Sequence, residues 1–292
     1  MTATAAAKVW LDYDQAELDN QYEQRSLVPD GDVYVAENAA ASAQARADLD
    51  CRLDVAYGPG PDEVMDLFPA RASGAPVLVF LHGGAWTRGD KVNESHLAPA
   101  LIAAGAAVVA VNFSLAPGAS LDDIADQCRR AVAWVHAHAA DLNADAGRLI
   151  VAGHSSGAHL TAMMMVTDWA GHGLPADAVK GCVMTSGMYD LTPIRLSHRN
   201  GYLNLDDAAV DRLSPMRHLR PGLPPVAVFY GEGELTEFRR HGRDFAQALR
   251  DAGLTVRETD LPGIHHFTMS RELGRPDSPV HQAALRLMGL TV

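Results

Sequence analysis

At 292 residues with 48% hydrophobic composition, the chain is long enough to bury a full core, and one large domain over residues 1–292 is expected. Its 36 acidic against 24 basic side chains leave a formal net charge of -12, which repels phosphate backbones and anionic lipid, so neither nucleic acid nor a membrane is an expected partner. The three cysteines, Cys51, Cys128 and Cys182, lie far apart without metal-ligand spacing, which fits a reduced cytoplasmic protein with no metal or organic cofactor.

From the start of the chain, Met1 to Lys8 lack the basic leader and apolar core of a secretory signal. No apolar run approaches the roughly 20 residues that span a bilayer. Residues 1–48 read as a helical segment: Gln15 to Arg25 combine Leu18 and Tyr22 with many charges, as in a surface helix packed by one stripe. The alanine-rich stretch Ala39 to Ala47 reads as a joint between that helix and the first strands.

After Asp50 the pattern turns to short β-type runs. Cys51 to Tyr57 and Val64 to Phe68, separated by a Gly-Pro-Gly-Pro-Asp turn, predict an antiparallel opening pair. The strands that follow are continuously apolar: Val77 to Leu81, Ala106 to Val111, Leu149 to Ala152, Cys182 to Met184 and Val226 to Tyr230. Strands apolar on both faces belong inside a parallel sheet covered by helices. Leu121 to Ala140 and Glu237 to Ala252 supply helical spacing between them, so the fold class is α/β: a mostly parallel, doubly wound sheet flanked by helices. The stretch from about residue 186 to 224 is too long for a simple loop and predicts a small cap-like insertion. Ligands of such sheets bind beyond the carboxyl ends of the strands, so functional motifs should follow strands directly.

Two motifs do. Leu149 to Ala152 runs into Gly153-His154-Ser155-Ser156-Gly157, followed by a helix-forming stretch, which is the context of a nucleophile elbow with Ser155 at its apex. Glycines flank the serine because the turn is tight and its backbone strained. Val77 to Leu81 runs into His82-Gly83-Gly84-Ala85-Trp86, whose main chain can approach a carbonyl oxygen without side chains in the way. Acyl transfer places negative charge on that oxygen, so the amides of Gly83, Gly84 and Ala85, with that of Ser156, are assigned as an oxyanion hole.

A nucleophilic serine needs a base and an acid, which this fold supplies in the chain order serine, acid, histidine. The loop Pro262 to Thr268 offers two adjacent histidines, His265 and His266, of which one reaches Ser155 because neighbouring side chains diverge. The loop Gly231 to Glu237 offers Glu232, Glu234 and Glu237; Glu234 is the choice, since Glu237 falls in a helical first turn. Asp190 is a lower-ranked position for the acid. Trp86, Tyr189, Tyr202 and Phe267, together with Arg195 and the helix-like Asp206 to Leu213, are candidates for the pocket wall, which points to a small, apolar or aromatic substrate.

With these segments in hand, the chain resembles arylformamidase, also called kynurenine formamidase, and related esterases of the α/β-hydrolase superfamily. The resemblance runs nearly the whole length: Tyr13 to Tyr22, His82 to Trp86, Gly153 to His159, Ser186 to Leu191, Pro193 to Arg195, Glu237-Phe238 and His266-Phe267. It implies Ser155 as nucleophile, Glu234 as acid and His266, which precedes phenylalanine, as base. Two positions depart from the family pattern, Glu234 where aspartate is common and Ala85 where tyrosine is common. The resemblance implies cleavage of an N-formyl aromatic amide through an acyl-enzyme. A carboxylesterase of small esters is the alternative, and a ligand receptor on the same scaffold a distant third, disfavoured because a receptor needs no serine and histidine together. A homo-oligomer is left open.

Overall fold

In the computed structural model, residues 7–291 are described, so most of the N-terminal leader reading, residues 1–6, lies outside them. The continuously apolar runs form the centre of an eight-stranded sheet in the order β1-β2-β4-β3-β5-β6-β7-β8. In chain order the strands are β1 (Arg52–Ala56), β2 (Val64–Phe68), β3 (Ala75–Leu81), β4 (Ala107–Val111), β5 (Ala144–His154), β6 (Gly181–Thr185), β7 (Val226–Gly231) and β8 (Val256–Leu261). β2 is antiparallel to both β1 and β4, and from β4 across to β8 every pairing is parallel. This is the expected α/β-hydrolase arrangement.

Alternation along the buried strands divides the core in two. Val77, Val79, Leu81, Val109, Leu149, Val151 and Cys182 face one side, where α4 (Leu121–Ala137), α5 (Ser156–Val166) and α9 (Thr236–Asp251) cover them. Leu78, Phe80, Val108, Ile150, Val183 and Phe229 face the other, beneath α3 (Ala98–Ala103) and α11 (Pro279–Leu287). Helix α4 starts with a capping box, in which Ser120 Oγ accepts from Asp123 N–H and Asp123 accepts from Ser120 N–H. Every residue of α5 is buried, and its polar side chains are hydrogen-bonded: Ser156 Oγ accepts from Trp86 N–H, His159 Nε2 lies 2.8 Å from Leu213 O, and Thr161 Oγ1 donates to Gly157 O.

The N-terminal segment differs from its reading. Helix α1 (Gln15–Asn20) is short, and Ala39 to Ala47 are not a joint but the body of an 18-residue helix, α2 (Gly31–Asp48). Alanine is the strongest helix former, so the stretch needs no apolar stripe to be helical; only Gly31, Ser42 and Ala45 are buried. Between β6 and β7 the chain makes α6 (Thr192–Leu196), α7 (Asn200–Leu203) and α8 (Asp207–Leu213), and α10 (His266–Met269) follows β8. All three cysteines are free. Among the described residues no helix is long and apolar enough to cross a membrane, and no cluster of three or more metal-type ligands occurs.

Leu78 is wholly buried in β3, between β4 and β5. Leu78→Ala should lower the unfolding free energy by about 2–5 kcal/mol in a denaturant titration. Leu53→Ala on the exposed β1 should change it by less than about 0.5 kcal/mol, and equal losses would mean that the sheet interior does not dominate stability.

Candidate active site

Four strand ends converge to make the site. Ser155 stands between β5 and α5 with φ 56° and ψ -121°, a strained backbone that lifts its side chain out of the turn, and its N–H donates to Thr185 O at 2.9 Å. The glycines on either side leave no room for a side chain. A Cβ on Gly153 would lie 2.3 Å from Gly157 O, and one on Gly157 would lie 2.0 Å from Leu81 O and 2.5 Å from His82 O. The second close approach brings the first turn of α5 against the end of β3, and with it the loop His82 to Trp86.

His266 Nε2 lies 3.0 Å from Ser155 Oγ, and its Nδ1 lies 2.5 Å from Glu234 Oε1. The other Glu234 oxygen accepts from Gly231 N–H at 2.8 Å and from Ser186 Oγ at 3.0 Å, so both carboxylate oxygens are engaged. Phe238 packs edge-on against the His266 ring with centroids 4.8 Å apart. The structure therefore joins Ser155, His266 and Glu234 in one hydrogen-bonded chain, in which the carboxylate holds the imidazole with Nε2 toward the serine.

The neighbouring alternatives are used elsewhere. The His265 side chain caps α10, accepting from Thr268 N–H at 3.3 Å, and its ring meets Tyr34 edge-on at 4.8 Å. Glu232 accepts from Gly263 N–H at 3.2 Å near the surface. Glu237, fully buried, is paired with Arg240, and Asp190 closes the start of α6 through Thr192 and meets Arg217.

The loop after β3 is bent by three consecutive positive φ angles, at Gly84 (116°), Ala85 (54°) and Trp86 (61°). A Cβ on Gly84 would lie 1.9 Å from Arg88 O, so only glycine fits there. Ser156 Oγ accepts from Trp86 N–H at 3.2 Å, which ties this loop to the elbow. Among the described residues no acceptor is assigned to the amides of Gly83, Gly84, Ala85 or Ser156. These donors can take an oxyanion beside Ser155. Under the loop, His82 stacks on Phe113 at 4.1 Å, and burial lowers its pKa, so it stays neutral.

Ser155 and His266 open into a cavity of about 350 Å³. Most of its far wall comes from the N-terminal segment, including Tyr22, Gln24, Arg25, Asp32, Tyr34 and Asn38, and from the insertion only Arg199 reaches it. Of the aromatic residues assigned to the wall, Phe267 does line the cavity. The others are corrected. Tyr189 is fully buried and stacks on Phe245 at 4.0 Å, and Trp86 is buried edge-on against His159 at 5.3 Å; both serve packing. Tyr202 packs against the core and is not among the lining residues, while Arg195 is bound to Asp207.

Of two further lining residues, His154 fills a position of the elbow motif that sets no residue type, and Glu94 belongs to no motif. His154 lies with its ring centroid 4.6 Å from that of His266 and its Nδ1 3.1 Å from Thr185 Oγ1. Burial, then the positive charge His266 acquires when protonated, push its pKa well down, so it remains neutral beside the working imidazole. Glu94 reaches the cavity half-buried, with no side-chain partner among the described residues. Burial, reinforced by the charge of Asp90, pushes its carboxyl up to about 8.

A carboxyl raised in this way keeps its proton in the folded protein while the unfolded chain releases it. Folding is thus increasingly disfavoured as pH rises from the ordinary 4.5 toward about 8. Glu94→Gln removes that penalty, so the variant's Tm should match wild type near pH 4.5 and exceed it by a growing margin up to pH 8. A margin that does not change with pH would show that the Glu94 carboxyl titrates alike in the folded and the unfolded chain.

The BD-FAE family model matches residues 65–246. A kynurenine formamidase from Salmo salar is 31% identical over 96% of this chain and 98% of its own length. Esterase LipQ of Mycobacterium tuberculosis is 31% identical over 73% of this chain and 56% of its own length. A crystal structure of a proposed thioesterase from a Silicibacter species superposes with a TM-score of 0.80 at 28% identity, covering 90% of this chain and 97% of the other. Matched through its core by the family model and end to end by a formamidase, this chain belongs to the BD-FAE family and is a serine hydrolase of the arylformamidase-like and esterase group.

Proposed function

We propose that the protein hydrolyses N-formyl aromatic amides, with Ser155 as nucleophile, His266 as general base and then acid, and Glu234 as the residue that orients His266. The observation that carries the reading is the unbroken chain Ser155 Oγ, His266 Nε2, His266 Nδ1, Glu234 Oε1, with contacts of 3.0 and 2.5 Å at the wall of one cavity. Ser155 Oγ bonds to the formyl carbon as its proton passes to His266 Nε2. The carbonyl oxygen becomes an oxyanion facing the amides of Gly84, Ala85 and Ser156, with Gly83 completing the turn. Collapse breaks the C–N bond, and the departing arylamine takes the proton from Nε2. Water, deprotonated in turn by His266, attacks the formyl-Ser155 ester; the bond between the formyl carbon and Ser155 Oγ breaks, Oγ takes the proton back from Nε2, and formate leaves. No metal or organic group takes part in these steps.

Two features support a formamide over a bulkier ester. The kynurenine formamidase of Salmo salar aligns over nearly the full length of both chains. The formyl group is the smallest acyl group, which suits a serine held against a glycine loop so closely that a Cβ on Gly83 would lie 3.2 Å from Ser155 Cβ. The rest of the cavity is then left for the amine half. Residues 1–292 are read as one hydrolase domain, with residues 186–224 as a small cap that reaches the cavity through Arg199 alone. The working partner is a small molecule. Hydrolysis of small carboxylic esters is the second reading, favoured by the similarity to LipQ and by the small side chain of Ala85 beside the oxyanion donors.

Ser155→Ala should reduce turnover by at least about a thousandfold and leave the unfolding curve unchanged. A variant that retains a tenth of wild-type activity would remove Ser155 as nucleophile. Steady-state kinetics on N-formylkynurenine beside short-chain aryl esters should give the larger kcat/KM for the formamide. The reverse order would assign the enzyme to ester hydrolysis.

A further inference from the structure

Among the described residues, two rings of the cavity wall pack on His266: Phe267, with centroids 6.0 Å apart, and His154, at 4.6 Å. Only the second carries a hydrogen-bond acceptor. On its other flank the His154 ring reaches the oxyanion loop, where a Cβ on Gly83 would stand 3.4 Å from His154 Cδ2. The imidazole thus spans the space between the amides that face the carbonyl oxygen and the nitrogen that passes a proton to the leaving group.

The hydrogen bonds behind the ring fix its tautomer. Thr185 Oγ1 lies 3.1 Å from His154 Nδ1 and donates its one hydrogen to Gly153 O at 3.2 Å. Toward His154 that hydroxyl can only accept, so the proton of the neutral ring sits on Nδ1. The ring is neutral because burial, then the charge His266 acquires, disfavours its cation. Nε2 therefore keeps a bare lone pair on the edge of the ring away from Thr185, and it has no partner among the described residues. Acyl transfer by Ser155, His266 and Glu234 leaves this acceptor unused.

Amides and esters differ at the atom that comes to lie beside it. When Ser155 Oγ adds to the formyl carbon of an amide, the nitrogen becomes pyramidal and its lone pair develops on the side away from the new C–O bond. The nitrogen must turn before it can take the proton from His266 Nε2, and its own N–H then needs an acceptor. An ester oxygen has a second lone pair and no hydrogen, so it needs no turn. We propose that His154 Nε2 accepts the N–H of the scissile formamide as the nitrogen turns toward His266, which makes His154 a catalytic residue for amide cleavage in particular. No bond to His154 forms or breaks and no proton moves to it. The contact is completed only with the turned nitrogen, so it lowers the barrier more than it tightens substrate binding. The proposal rests on the formamidase reading and names the group that favours a formamide over an ester at this site.

The experiment sets N-formylkynurenine beside the formate ester in which oxygen replaces its formamide nitrogen, two substrates that differ at one position and give the same formyl-Ser155. The ratio of their kcat/KM values is measured in wild type, in His154→Phe, which keeps a ring against His266 but no acceptor, and in His154→Gln, whose amide oxygen extends about as far as Nε2. In His154→Phe the formamide-to-ester ratio should fall about 10- to 100-fold, mainly through kcat, and His154→Gln should recover part of it. A ratio unchanged in His154→Phe, whether both rates fall together or neither falls, overturns the role and leaves His154 as a packing residue. Because a substitution beside Ser155 can disturb the elbow, a second measurement uses wild type alone. The imidazole nitrogen shifts of histidine-labelled protein at neutral pH should show His154 protonated on Nδ1 and bare on Nε2, and a protonated Nε2 overturns the acceptor. If wild type turns over the ester and leaves the formamide intact, the formamidase reading fails and the proposal with it; if both are cleaved and the ratio survives in His154→Phe, the proposal alone fails.

Discussion

The first turn of α5 presses so closely on the carbonyl oxygens of Leu81 and His82 that position 157 has no space for even one carbon beyond the backbone. Everything in the site depends on that contact. It sets the distance between the two loops that supply free amide donors, and the Trp86 N–H to Ser156 Oγ bond then locks it. It also places the positive end of α5 under the reacting centre, where a developing oxyanion is favoured. The strain at Ser155 is the local cost of this arrangement, and α5, buried on every side, is what keeps the turn from relaxing.

The remaining two members of the hydrogen-bonded chain hang on a different pair of strands, β7 and β8. Ser186, at the end of β6, bridges the pairs: its hydroxyl donates to Glu234, while the residue before it, Thr185, accepts from Ser155 N–H. The carboxylate is therefore registered to the nucleophile through the sheet as well as through the histidine. His154 adds a neutral ring against His266, so the proton taken from Ser155 has one imidazole to occupy, with no second positive charge beside it.

How much of this was legible in the sequence follows from how each feature is encoded. The central strands were plain because burial on both faces demands unbroken apolar runs such as Val77 to Leu81. The elbow and the glycine loop were plain because steric exclusion at Gly153, Gly157 and Gly84 restricts those positions to one residue type. Ala39 to Ala47 read as a joint because alanines encode helicity without an apolar stripe, so periodicity has nothing to register in the second half of α2. The cavity wall was largely missed. Arg199, Gln24 and Glu94 face the cavity through contacts between distant segments, and no local pattern distinguishes an arginine that lacks an acid from one that has found it. Tyr189 and Trp86 read as wall residues in the sequence because aromatic side chains fill cores as readily as pockets, and burial decides between the two.

The N-terminal wall is clamped to the loop that carries the histidine. Arg271, just after α10, donates to Asn38 Oδ1, to Tyr34 O and to the Glu37 carboxylate on α2, and a Cβ on Gly31 would strike the Phe267 ring at 2.5 Å. The far wall of the cavity and the segment that carries Phe267 and His266 are thereby fastened to each other, so the shape of the chamber and the position of the base rest on one set of contacts.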